Sequence, residues 1–313
     1  MRLPSNSGFV DPYCIGGLSL GMACFHQGRY PVSLRSGKVR VCAHLCLSFQ
    51  SERKVMMLTR LALYSELMSC TYKLNPGFID RIIASPGKTM HIQCLTVGMF
   101  QVNTYLIQDD ETGACVVVDT GENNELALRL SAIDPRLDIQ AILITHAHID
   151  HAGGLVDLQT AFDVATYLPS MEKPFFDTLS QQGNWFGAPE INRLCGHIDY
   201  EVQDGDLIQI GNMEFKFLST PGHSPGQGCY YTDTVIFVGD TLFAGSIGRT
   251  DFPGSNPAEM KESLRRLLEL PGHLQVLSGH GPATTLKQEL KTNPFLGFIR
   301  KEKGLPSGFS YPW

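Results

Sequence analysis

From its amino end the chain shows no sustained hydrophobic period until about residue 90, where apolar and polar positions fall into order. His91–Val97, Val102–Gln108 and Ala114–Asp119 are short runs separated by turn residues such as Asp110-Glu111-Thr112-Gly113, and they predict three strands. Glu125–Ile133 sets Leu126, Leu130 and Ile133 at helical spacing, and Ala141–Thr145 is the unbroken apolar run of a strand buried on both faces. A helix is predicted over Gly154–Phe162 and a strand over Val164–Leu168. A second series begins near Tyr200, with strands predicted at Leu207–Ile210, Glu214–Ser219, Gly228–Thr232 and Val235–Val238. The helix predicted at Pro257–Leu270 has Asn256 as N-cap, Pro257 at its first position and Glu259 in a capping-box-like start. Met260, Leu264, Leu267 and Leu268 then share one face. A last strand, Leu274–Leu277, precedes Ser278-Gly279-His280-Gly281. Two successive strand series with interspersed helices predict an α/β fold of two packed sheets with helices outside, although periodicity alone leaves other α/β layouts open.

Residues 1–89 read as an extension ahead of a compact domain at 90–313. Val55–Met68 could form an amphipathic helix, but nothing around it suggests a core. The extension fits a transit peptide, a disordered segment, or a consequence of where translation is taken to start, since Met90 directly precedes the first well-patterned strand. The latter two are preferred. The apolar stretch Cys14–Phe25 is broken by glycines and makes a weak signal peptide. No run approaches the roughly 18–20 apolar residues of a membrane span. The expected location is cytoplasmic, or organellar if the extension directs import.

Charge divides the chain at the same point. Residues 1–89 hold 11 Lys+Arg against 4 Asp+Glu, while 90–313 hold 14 against 27. So acidic a domain repels a phosphate backbone, which disfavours nucleic acid as a partner. Of nine cysteines, Cys94, Cys115, Cys195 and Cys229 fall in the domain without a CxxC pair, and they read as small hydrophobes rather than disulfides.

The chemistry is concentrated in Thr145-His146-Ala147-His148-Ile149-Asp150-His151-Ala152-Gly153-Gly154. Four metal-competent side chains occupy six positions directly after a buried strand. Imidazole and carboxylate are the ligands that a borderline divalent metal prefers. A lone histidine at a strand end is more often a hydrogen-bonded or surface residue, but such isolated roles do not produce this density. Thr220-Pro221-Gly222-His223, Gly239-Asp240 and Gly279-His280 each add a donor at a strand end beside glycine. Each is weak alone. Together the seven suffice for two metals sharing one carboxylate.

These motifs resemble the metallo-β-lactamase superfamily, whose HxHxDH motif, later His, bridging Asp and final His match the seven positions in order. The resemblance runs from about residue 91 to 285. Within the superfamily, the segment Gly239–Pro253 and Thr292-Asn293-Pro294-Phe295-Leu296 look like the small glyoxalase II-type hydrolases. The resemblance implies a four-layer αββα sandwich with the metals at one edge. It implies that His146, His148 and His223 hold one divalent ion, Asp150, His151 and His280 the other, and Asp240 both. Zn is the expected metal, with Fe or Mn also suited.

The reaction implied is hydrolysis of a small-molecule thioester of the hydroxyacylglutathione type by a metal-bridging hydroxide, with Asp150 and Asp240 as the carboxylates acting at the reacting centre. A thiolate leaving group with a pKa of about 8.5 needs no dedicated acid. Asp119 reads either as a carboxylate supporting a ligating histidine or as a turn aspartate, and Arg249 with Asp251 as a salt bridge at the pocket rim. His91, His197 and His273 read as ordinary residues. Only 33 residues follow His280, too few for the helical domain that clamps glutathione in glyoxalase II proper, so no glutathione contacts carry over. Persulfide dioxygenases on the same fold, with one iron at positions matching His146, His223 and Asp240, are the nearest alternative. β-Lactam hydrolysis is less favoured, and a non-catalytic metal-binding protein is the alternative from another class. No membrane partner is expected, and the oligomeric state is open.

Overall fold

The computed structural model describes residues 81–85 and 88–306; of the extension expected over residues 1–89, residues 1–80, 86 and 87 lie outside them, and 81–85 and 88–89 are strand. The first sheet has seven strands in sequence order: β1 (Arg81–Ser85), β2 (Lys88–Val97), β3 (Val102–Asp109), β4 (Ala114–Val118), β5 (Asp138–Leu143), β6 (Ala165–Pro169) and β7 (Tyr200–Val202). Strands β1 to β4 pair antiparallel, and β4 to β7 are parallel. The β1–β2 pairing starts at Arg81, upstream of the change in sequence pattern.

The second half supplies β8 (Leu207–Ile210), β9 (Met213–Ser219), β10 (Gly228–Tyr231) and β11 (Val235–Gly239), a small ribbon of β12 (Leu242–Phe243) and β13 (Ser246–Ile247), then β14 (Gln275–Ser278) and β15 (Thr284–Thr285). The second sheet runs β15-β14-β11-β10-β9-β8. Strand β14 lies parallel to β11, while β10 is antiparallel to both β9 and β11, so β9, β11 and β14 all end at one edge.

Three buried clusters separate four layers. Alternation along single strands produces them, because successive side chains point to opposite faces. In β4, Val116 and Val118 face Phe215, Tyr230 and Phe237 of the other sheet, while Cys115 and Val117 face helices. In β11, Val235 and Phe237 face the first sheet, and Ile236 and Val238 turn outward. The outer layer on the first sheet comprises α1 (Glu125–Ile133), α2 (Ile149–Ala152), α3 (Leu155–Phe162), α4 (Lys173–Phe176) and α5 (Leu179–Trp185), through residues such as Leu126, Leu130, Leu155 and Phe176. On the other side, α6 (Pro257–Leu267), α7 (Leu286–Thr292) and α8 (Gly297–Glu302) contribute Met260, Leu264, Leu286 and Ile299. This is the αββα architecture expected from the motifs.

The long helix α6 starts where the sequence predicts. The Asn256 side chain accepts the N–H groups of Ala258 at 3.0 Å and Glu259 at 3.4 Å. It ends at Leu267, three residues earlier than expected. Strand β5 also ends early, at Leu143; Ile144 N still donates to Tyr167 O of β6 at 3.0 Å, and Thr145 leads into the histidine loop. No described helix is long and apolar enough to cross a membrane. The four described cysteines are free, and Cys115 and Cys229 are buried.

Candidate metal centre

The edge at which β5, β9, β11 and β14 end carries all seven donors. His146, His148, Asp150 and His151 follow β5, His223 follows β9, Asp240 follows β11 and His280 follows β14. Cross-sheet hydrogen bonds fix these strand ends against one another. Gly228 N donates to Thr145 O at 3.0 Å and Tyr230 Oη to Ile144 O at 3.1 Å. Asn103 donates through its backbone to Gly279 O at 2.6 Å and through Nδ2 to Gly281 O at 2.8 Å, while Tyr105 Oη donates to Ser278 O at 2.7 Å. The His280 loop of the second sheet is thus held by strand β3 of the first.

Three groups of donors form. The ligand atoms of His146, His148 and His223 lie within 4.8 Å of one another, as do those of Asp150, His151 and His280, and those of His146, His151 and Asp240. Asp240 stands between the first two groups. Its Oδ1 is 3.5 Å from His151 Nε2, and its Oδ2 is 3.5 Å from His223 Nε2 and 3.8 Å from His280 Nε2. Asp150 Oδ2 lies 3.2 Å from His280 Nε2 and 3.6 Å from His151 Nε2. His91, His197 and His273 stay outside the groups, with His197 near Asp199 and His273 on the Asp233 carbonyl.

The far sides of the rings fix their tautomers. Nδ1 of His223 meets the Arg249 carbonyl at 2.8 Å, and a carbonyl only accepts, so Nδ1 carries the proton. Nδ1 of His151 donates to Asp119 Oδ2 at 2.8 Å. The Thr145 hydroxyl donates to Asp119 Oδ2 at 2.9 Å and can then accept from His146 Nδ1 at 3.1 Å. In its neutral form each of these rings turns an Nε2 lone pair inward. His146 Nε2, His151 Nε2, His223 Nε2 and Asp240 Oδ1 are all buried without a hydrogen-bond partner. Unpartnered buried polar atoms are costly and rare, and four of them in one cluster are the signature of a cation site. The donor set fits a divalent metal.

Protonation tendencies agree. Burial, reinforced by neighbouring imidazoles, holds His146 and His148 well below the usual histidine range, which favours neutral rings able to accept a cation. Burial also opposes charge on His151, but Asp150, Asp119 and Asp240 outweigh it and push the ring up to about 10. Burial works against ionisation of Asp150, yet His151, His280 and His148 hold it well below the carboxylate range. Without metal, a proton on His151 supplies part of the positive charge that the carboxylates require.

One supporting residue escapes a reading of the sequence. Glu172 is fully buried and accepts from Ala147 N at 2.8 Å, Ser224 Oγ at 2.6 Å and Gly226 N at 2.6 Å. It ties the His146–His151 loop to the His223 loop. An isolated glutamate in Ser170-Met171-Glu172 gives no periodic signal, and only the neighbouring aromatic density of Phe175, Phe176, Trp185 and Phe186 hints that this stretch faces a site. Burial is the main influence on Glu172 and raises its pKa.

Beside the His148 ring lies a cleft of about 420 Å³, lined by His148, Trp185, Phe186, Arg249, Phe252 and Pro253. The Arg249 guanidinium makes two 2.8 Å bonds to Asp251 and lies 4.2 Å from the centre of the Phe252 ring, so both residues form the rim.

Residues 97–280 match the Metallo-beta-lactamase superfamily. The hydroxyacylglutathione hydrolase GloC of Haemophilus influenzae is 36% identical over 211 residues, which cover 66% of this chain and 98% of that protein. Among solved structures, the BLEG-1 B3 metallo-beta-lactamase aligns with a TM-score of 0.60 and 35% identity, covering 66% of this chain and 99% of its own. TTHA1623 in a di-iron-bound form aligns at 0.58 with 37% identity, covering 65% and 99%. ETHE1 from Myxococcus xanthus aligns at 0.54 with 25% identity, covering 69% and 92%.

Proposed function

The chain belongs to the metallo-beta-lactamase superfamily, and from that premise we propose that it is a metal-dependent hydrolase of small-molecule thioesters of the hydroxyacylglutathione type. The observation that carries the reading is the meeting of His146, His148 and His223 with Asp150, His151 and His280 across Asp240. The first three would hold one cation, the second three another, and Asp240 would touch both. Two divalent ions held there would supply Lewis acidity, enough to polarise a carbonyl and to lower the pKa of water towards about 7.

The chain's own residues set the stage for that chemistry. Asp119, Thr145 and the Arg249 carbonyl fix three imidazoles in the tautomer that presents Nε2. Glu172 holds the two ligand loops at a fixed separation. His280 is partly exposed and the cleft opens beside His148, which leaves a path for a carbonyl to approach. No carboxylic acid lines the cleft, which suits a thiolate that departs without protonation. The relative named hydroxyacylglutathione hydrolase supports the substrate class.

A second reading is a mononuclear-iron persulfide dioxygenase, favoured by the likeness to ETHE1. Such an enzyme needs only the donors at His146, His223 and Asp240, and the convergence of four more supports the hydrolase instead. The mixed nitrogen and oxygen donors accommodate Zn, Fe or Mn. The test is elemental analysis of purified protein, paired with a panel of hydroxyacylglutathione thioesters, glutathione persulfide with oxygen uptake, and a β-lactam. Two metals per chain with thioester turnover is the expected result. One iron with oxygen consumption on persulfide would replace the reading, as would a marked preference for the β-lactam.

A further inference from the structure

Large apolar side chains are left exposed around the mouth of the metal centre. Met99 is 64% exposed at the tip of the β2–β3 hairpin, and Trp185 and Phe186 are 43% and 42% exposed at the end of α5. Trp185 and Phe186 line the cleft, and they belong to one continuous wall. The Phe100 and Phe186 ring centres are 5.4 Å apart, those of Phe186 and Phe252 6.2 Å, and those of Phe252 and His148 5.6 Å. Since His148 also belongs to the donor group, the wall runs directly into the centre.

The wall is held in place from behind. The Met99 N–H donates to the buried Glu122 carboxylate, and the Gly98 N–H donates to Glu125 Oε2 at 2.8 Å. These bonds anchor the hairpin tip to the start of α1, beside Phe100, whose ring meets Phe186.

Charge argues the same way. Arg249 is the one cation among the residues lining the cleft, and Asp251 already pairs with it. A group bearing carboxylates would lose water there without gaining a free positive partner, whereas an apolar group would bury surface against Trp185, Phe186 and Phe252.

We infer that this cleft is the acyl subsite, and that it takes an uncharged aromatic or alkyl group attached to the scissile carbonyl. The inference deepens the thioesterase reading, on which it rests, by assigning the acyl side of the substrate to the wall, with the thiol portion lying elsewhere. Trp185 and Phe186 are its specificity-determining residues.

The experiment uses the metal-loaded protein and two matched series with acyl groups from acetyl to hexanoyl and phenylacetyl. One series consists of N-acetylcysteamine thioesters as substrates. The other consists of their carbon isosteres, with a methylene in place of sulfur, as ligands that cannot be hydrolysed. Affinity for the isosteres and kcat/KM for the thioesters should rise roughly fourfold per added methylene. Trp185→Ala and Phe186→Ala should flatten that slope, acting on KM more than on kcat. A flat or falling series in the wild-type protein overturns the inference, whatever the variants do. A rising isostere series with no thioester turnover keeps the subsite and removes the thioesterase reading. Turnover without dependence on the acyl group keeps the reading and removes the subsite.

Discussion

Asp119 accepts a 2.8 Å hydrogen bond from Nδ1 of His151, and it does so from a left-handed backbone conformation with φ of 59°. That conformation is uncommon for a residue with a side chain, although Asp tolerates it better than most. Here it turns the carboxylate back under the His146–His151 loop, where it also receives the Thr145 N–H at 2.8 Å. Asp119→Ala should weaken metal affinity about 10- to 100-fold, as loss of such supporting carboxylates does elsewhere. Asp119→Asn, which can still accept from His151, should lose less. Competition titration with a metal indicator checks both, and equal affinities in all three proteins would contradict the role.

Glu172 gives a sharper stability effect. Oε1 receives Ser224 Oγ and Gly226 N, and Oε2 receives Ala147 N, so both oxygens serve as acceptors. In Glu172→Gln the amide nitrogen must face one of these donors whichever way it turns. The expected cost is about 1–3 kcal/mol, that of an unsatisfied buried group. Denaturant unfolding of the metal-loaded protein measures it, and an unchanged midpoint would show that the two loops are held by other means.

A single methyl should also disturb the centre. A Cβ at Gly279 would stand 2.5 Å from both Asp240 Oδ1 and His151 Cε1, whereas one at Gly281 would meet nothing within 4 Å. Gly279→Ala should therefore reduce metal affinity and turnover by at least about tenfold, because donors must move to admit it. Gly281 has φ of 77°, so Gly281→Ala carries a backbone penalty of about 1–2 kcal/mol but spares the donors. Similar metal affinity in both variants would contradict this contrast.

The pH dependence follows from His151. Its ring is pushed up to about 10 in the folded, metal-free protein, against 6.5 as its ordinary value. The stability it contributes is fully present below 6.5 and is lost as pH rises towards 10. The chelator-treated protein should thus unfold more easily across that window. At neutral pH the ring must also give up its proton to bind metal, so metal uptake should release protons and strengthen as pH rises. Calorimetry in buffers of different ionisation enthalpy measures the release. Metal binding that ignores buffer and pH would refute this charge arrangement.

The sequence and the structure coincide most closely where one physical signal dominates. The seven donors were legible because each follows a buried strand and adjoins glycine or another donor, a pattern that core packing alone does not produce. The strands around them were legible through alternation, and Asn256 through its capping chemistry. Boundaries moved where hydrogen bonding, rather than hydrophobicity, sets the end, as after β5, where fully buried Thr145 gives its N–H to the Asp119 side chain instead of a neighbouring strand. The wall of the cleft was not legible. Its helices α4 and α5 have four and seven residues, too short to display a period, and they form through packing rather than propensity. Glu172 went unseen for a related reason, since nothing local distinguishes a buried glutamate from a solvated one.

The most direct test is the metal content and thioester turnover of Asp240→Ala beside the wild type. Asp240 is the one donor standing between both histidine groups, so its loss should leave fewer than two ions per chain and lower turnover by at least about a hundredfold. Two tightly bound ions and wild-type turnover in the variant would contradict a centre shared across that carboxylate.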